Sequence, residues 1–272
     1  MKYTIRSNKY LFKNFIFIFP LVIIPAFLLS LSTDQESIQC LLEKVFSGHL
    51  SELHFNHIFR AISILSFGSL ESIIAGFLGI ICVIFFAALV MAFLEKHMRI
   101  GKRTFNGILS KLNDNFMSTS GYVLLILLIY EIWTLLLASL LFFISKITLI
   151  PVGYILGIAI YLGMHVLFVY VISLFYLWLP CMQITGFRPF EALHYSYGLV
   201  SPVKWGIIVG QLMLLFVVEA LIGACVMFIS TPIVFTILTT ALYAIIFMVF
   251  CVRMQIVYFD RDNIERADLR RY

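Results

Sequence analysis

Six separate stretches of this chain stay apolar for twenty residues or more, and they limit its fold more than any other feature. They run 12–31, 69–94, 121–145, 151–179, 206–230 and 233–257. About 20 helical residues cross ~30 Å of hydrocarbon. A segment in that medium must satisfy its own backbone hydrogen bonds, which a helix does. The expected fold is therefore all-α: a polytopic membrane protein of six transmembrane helices in one integral domain, 1–272. Composition supports this, with 62% hydrophobic and 12% charged residues. Soluble domains carry about 45–50% apolar and about 25% charged residues, so soluble, disordered and disulfide-framework proteins are excluded. The fourth stretch is the longest and should tilt or end in an interfacial turn. The first is too long for a signal-peptide core and no A-x-A-like site follows it, so it is expected to remain as a span.

Orientation follows from the basic residues in the flanks. Alternate segments carry Lys2, Arg6, Lys9 and Lys13; Lys96, Arg99, Lys102, Arg103 and Lys111; Arg188 and Lys204; and Arg253, Arg261, Arg266, Arg270 and Arg271. The other side holds only Lys44, Arg60 and Lys146. Sixteen against three places both termini in the cytoplasm of a multi-pass protein of the cell membrane. The net charge of +5 thus serves topology and attraction to anionic lipid, not nucleic-acid binding.

Two external links are short, 146–150 and 231–232, and each forces an antiparallel hairpin. The longer external piece, 32–68, opens with Thr33-x-x-Glu36, a capping-box pattern. Ile38, Leu41, Leu42, Val45 and Phe46 follow at helical spacing, Gly48 stops that helix, and Ser51 is placed to cap a second. Both helices are expected on the outer surface, as a connector lying on lipid or as a lid over a cavity. Two cytoplasmic loops, 101–120 and 186–205, read as amphipathic elbow helices carrying Arg103 and Phe105, and Arg188 and Phe190. A shift of 85 residues superposes these pairs, together with Gly68 on Gly153, Gly101 on Gly186 and Gly121 on Gly206. That pattern predicts a parallel hairpin repeat, 68–145 and 153–230, a feature seen in transporters and in other bundles whose hairpins pack on their own copies.

The second elbow carries a resemblance. Leu179-Pro180 followed by Gly186-Phe-Arg-Pro-Phe-Glu-Ala-Leu-His-Tyr-Ser-Tyr-Gly-Leu-Val200 resembles the YciC-like bacterial inner-membrane proteins. That group looks related to the membrane domain of some glycerophosphodiester phosphodiesterases. The shared pattern is a proline at the span end and an elbow with Ala192, Ser196 and Leu199, and the tail Tyr258-Phe-Asp260…Ala267-Asp268-Leu269 is similar. The resemblance implies an integral membrane protein of undefined biochemical role. No stretch is long enough for a soluble phosphodiesterase domain.

Few residues suggest chemistry. Only Cys40 of the five cysteines is external, and no C-x-x-C pair exists. His49, Glu52, His54 and His57 match no metal motif, so no metal is expected. Nucleotide and cofactor fingerprints and a G-x-S-x-G elbow are missing, so no cofactor, catalytic residue or enzymatic activity is expected. Ser69, Ser72, Gly76 and Gly79, with Gly153-x-x-x-Gly157 and Gly206-x-x-x-Gly210, suit close helix packing or homo-oligomers. Pro20 and Pro25 should kink the first span. The most informative residues are Glu131, His165, Glu219 and Gln211 inside spans. A carboxylate in hydrocarbon costs several kcal/mol unless paired or protonated, so these residues should face the bundle interior as a structural lock or a polar site. Glu131 and Glu219 could project to one region, with His165 between them as a partner. Two functions fit: a non-enzymatic scaffold or accessory subunit docking cytoplasmic partners or anionic lipid, or a permease-like transporter of a small molecule or lipid.

Overall fold

A computed structural model describes residues 2–65, 68–229 and 231–269. Its regular structure is entirely helical. Among the described residues, six helices are long and apolar enough to cross a membrane, so the chain forms a multi-pass membrane bundle. The spans are α1 (Lys2–Ser32), α4 (Leu70–Ile100), α5 (Ile108–Ser145), α6 (Ile150–Leu174), α9 (Lys204–Phe228) and α10 (Pro232–Arg261). Between them lie α2 (Gln35–Phe46), α3 (Phe55–Ile62), α7 (Trp178–Thr185) and α8 (Pro189–Val200).

Local chemistry sets the helix ends. Ser69 caps α4 through a reciprocal pair with Ser72. Gly101 closes α4 at φ 78°, a left-handed turn that glycine adopts without strain. Pro151, Pro189 and Pro232 sit in first turns, where a missing N–H costs nothing. The six spans make a ring in the order α1, α4, α5, α6, α9, α10, closed by α10 packing on α1. Gly79 lets α4 approach α1 closely, because a Cβ there would meet the Leu29 backbone nitrogen at 3.2 Å. Gly157 and Gly206 face open space.

The main core lies at the end of the bundle that carries both termini. It holds Tyr10, Phe93, Met98, Tyr176, Leu179 and Phe259. There Asp260 of α10 accepts hydrogen bonds from Tyr3 (2.7 Å) and Arg6 (2.9 Å) and pairs with Lys2 (3.4 Å). The chain after α10 turns back. Arg266 forms a buried two-pronged pair with Asp268 and stacks over Tyr10. At the far end a smaller cluster, Leu53, Ile58 and Ala138, joins α3 to α5.

Several local expectations change. Asp34, not Thr33, caps α2, accepting from the Ser37 N–H at 3.0 Å. The Thr33 hydroxyl is already engaged with the Leu29 carbonyl and Tyr243. Ser51 caps nothing: it lies in a 3-10 turn, Leu50–Glu52, and α3 begins only at Phe55. Lys146 and Lys44 hold that turn by donating to the Ser51, Leu53 and Glu52 carbonyls. Moreover, α3 does not simply rest on an outer surface. It runs down α5 from Phe142, edge-on to Phe55, to Tyr130, whose hydroxyl donates to the Ile62 carbonyl. From Tyr130 to Phe142, α5 rises about 18 Å.

The two elbows are also unlike each other. Residues 108–120 are the first turns of α5, which continues unbroken to Ser145. By contrast, α8 is a separate helix, divided from α9 by the 3-10 turn Ser201–Val203. Pro202 in that turn supplies no N–H to a continuous ladder, whereas nothing interrupts α5. Phe105 stacks on Phe93 at 5.3 Å and Arg103 lies over Phe17, while Phe190 is 87% exposed. The helix before each loop nonetheless ends with a left-handed glycine, Gly101 and Gly186.

Candidate functional site

On α6, Tyr161 and His165 are one turn apart and share a face. Across from them α9 presents Glu219. The Tyr161 hydroxyl donates to Glu219 Oε2 at 2.5 Å, and His165 Nε2 lies 2.9 Å from Oε1. His165 Nδ1 lies 2.7 Å from the Tyr161 carbonyl oxygen. Aromatic rings fix the imidazole: Trp133 meets it edge-on at 4.9 Å and Phe216 packs at 5.3 Å. Trp133 is itself anchored by an indole bond to the Met164 carbonyl, 2.8 Å.

Proton positions follow from this geometry. A carbonyl oxygen only accepts, so His165 Nδ1 carries a proton. The 2.9 Å contact at Nε2 needs a second proton, held either by the imidazole or by Glu219. In either placement the pair is neutral overall. His165 is fully enclosed, while the Glu219 side chain keeps 31% of its surface open. That open side faces a groove of about 560 Å³ between α2, α6 and α9, walled by Leu42, Phe46, Phe216, Gly223 and Met227.

Glu131 does not join this cluster. Its carboxylate accepts from the Ser63 hydroxyl (2.8 Å) and from the Ile64 and Leu65 N–H groups (3.2 and 3.3 Å). Those donors belong to the segment just after α3, where no helix supplies acceptors for the N–H groups. The two carboxylates therefore hydrogen-bond different partners. Both Gln211 amide atoms are buried with no hydrogen-bond partner among the described residues.

Two buried charges were not singled out from the sequence. Arg253, counted there among the flanking cations, is 2% exposed and donates to the Gly206 and Ile207 carbonyls of α9. Gly210 makes room for it, since a Cβ there would collide with the guanidinium. Only its position four residues before the end of the last apolar stretch hinted at burial. Glu95 is enclosed near the end of α4, paired with Lys111 at 2.5 Å and Arg99 at 3.2 Å. Its helical spacing to Arg99 was the available signal.

Elsewhere, His49 lies 3.3 Å from Glu52, and no set of three metal-capable side chains occurs among the described residues. Comparison of the chain with protein-family models, with curated proteins and with solved structures returned no match.

Proposed function

We propose that the chain is a non-enzymatic protein of the cell membrane, with both termini in the cytoplasm, that docks anionic lipid or a partner at the cytoplasmic surface. The observation that carries this reading is the face made by α8 and the start of α9. Phe190 and Trp205 are 87% and 73% exposed there, beside Arg188, and Lys204 sits 3.8 Å over the Tyr170 ring. Aromatic rings with basic neighbours favour an interface of anionic headgroups. The YciC-like resemblance and the sixteen-to-three charge bias agree with this reading. We also read 68–145 and 153–230 as a duplicated hairpin, supported by the shared left-handed turns at Gly101 and Gly186.

The test is native mass spectrometry of the delipidated protein titrated with phosphatidylglycerol or phosphatidylcholine. Retention of phosphatidylglycerol that falls several-fold in the Arg188→Gln, Lys204→Gln double variant supports the reading. Equal retention of both lipids sinks it. A second reading, a permease-like carrier, is favoured by one observation: the Tyr161–His165–Glu219 cluster opens onto a groove. Flux of a candidate solute through proteoliposomes, lost in Glu219→Leu, is its test.

A further inference from the structure

The groove between α2, α6 and α9 has an unusual charge state for one containing a carboxylate. Among the described residues, Glu219 is its only ionisable wall residue besides Tyr161, and Glu219 shares one proton with His165, so the floor is neutral. Neutral does not mean unreactive toward hydrogen bonds. Oε1 and Oε2 each hold one bond, to His165 and Tyr161, which leaves acceptor capacity on the open side. No free donor faces the groove from this pair, because the Tyr161 hydroxyl proton and the proton between His165 and Glu219 are both held within these bonds. The remaining walls are apolar, and the volume of about 560 Å³ suits a small amphiphile.

From this geometry we infer that the groove binds an uncharged, hydroxyl-bearing single-chain amphiphile from the bilayer, of the monoacylglycerol or long-chain alcohol type. Its hydroxyl donates to Glu219, and its chain lies along Leu42, Gly223 and Met227. Charge selects against the alternatives. An ammonium head would place a second cation beside the proton that the pair already holds. A carboxylate head would face acceptor oxygens with no donor to meet it. Either mismatch buries an uncompensated charge in an apolar wall. The inference rests on the carrier reading only in placing a ligand at Glu219, and requires no transport.

The experiment uses the full chain in phosphatidylcholine nanodiscs, which avoids sugar-headed detergents. Three probes share one diazirine-bearing chain and differ in the head: a monoacylglycerol, an alkylamine and a fatty acid. Crosslinked residues are read by mass spectrometry. The monoacylglycerol should label Leu42 or Met227 about tenfold more than either charged probe, the discrimination of about one good hydrogen bond. Gly223→Leu leaves the polar pair untouched and fills the groove, since a Cβ there meets only Leu42, at 3.8 Å. It should abolish the label. Glu219→Leu removes the acceptor and should abolish the preference for the hydroxyl head. Thermal unfolding of each variant checks its fold.

Equal or stronger labelling by a charged probe overturns the inference, as does labelling that survives Gly223→Leu or lies outside the groove. Labelling without flux in proteoliposomes keeps the inference and ends the carrier reading.

Discussion

Glu131 shows how a single intramembrane carboxylate can be entirely occupied with local structure. Replacing it with Leu strands the Ile64 and Leu65 N–H groups, while the Ser63 hydroxyl keeps the Leu65 carbonyl as acceptor. Each unsatisfied group costs about 1–3 kcal/mol. Because these groups are only partly buried, the expected loss is about 2–4 kcal/mol in detergent unfolding. Glu131→Gln keeps one acceptor oxygen and should lose about 1 kcal/mol, by the worth of a single bond. Equal stability of Glu131→Leu and wild type would show that water replaces the carboxylate there. The sequence made Glu131 and Glu219 look alike, since both are lone acids in apolar stretches. Desolvation requires a partner for each and does not specify which. His165 was legible as a partner for Glu219 because it is a side chain with a number. The donors on Ile64 and Leu65 are backbone groups that every residue has, so no residue type marks them. Arg253 was hidden for a related reason. A cation at the edge of a span reads as a flank, and only packing against Gly206 and Gly210 turns it inward.

Among the elements, span number and order were readable because 20 consecutive apolar residues have few alternatives in lipid. Helix boundaries and interruptions were less so. The loop 101–120 looked like a self-contained elbow, yet α5 begins inside it. Amphipathic periodicity continues through a long helix as readily as it ends a short one. The unequal elbows can be compared directly. Phe105→Ala removes a ring stacked on Phe93, and should cost about 1–2 kcal/mol from lost aromatic contact and area. Phe190→Ala removes an exposed ring and should stay within about 0.5 kcal/mol. Chemical unfolding of the two variants in one detergent measures the contrast. Similar losses would mean that both elbows pack alike. The glycines that end the two helices divide in the same way. Gly101 abuts the Ala267 carbonyl, 3.2 Å from where a Cβ would stand, whereas Gly186 faces open space.

Over the whole molecule, charge and contact agree about the termini. Lys2, Tyr3 and Arg6 meet Asp260, so the two ends of the chain share one end of the bundle. Reporter fusions at Met1 and Tyr272 should therefore give the same signal, active in the cytoplasm, and a split result would break the six-span topology. The closure of the ring by α1 and α10 also bears on time. During synthesis the first helix enters the membrane long before its principal neighbour exists. Until residue 232 has been made, the Ser30 hydroxyl lacks both the Thr236 carbonyl and the Thr239 hydroxyl it meets in the finished protein. Thr33 likewise waits for Tyr243. A newborn α1 with unmatched polar groups is a natural client for the insertion machinery. A photo-crosslinker placed at Ser30 should capture insertase in ribosome-stalled chains that end before 232, and α10 in completed ones. Closure of the bundle thus hinges on α10, and a truncation before Pro232 would orphan α1.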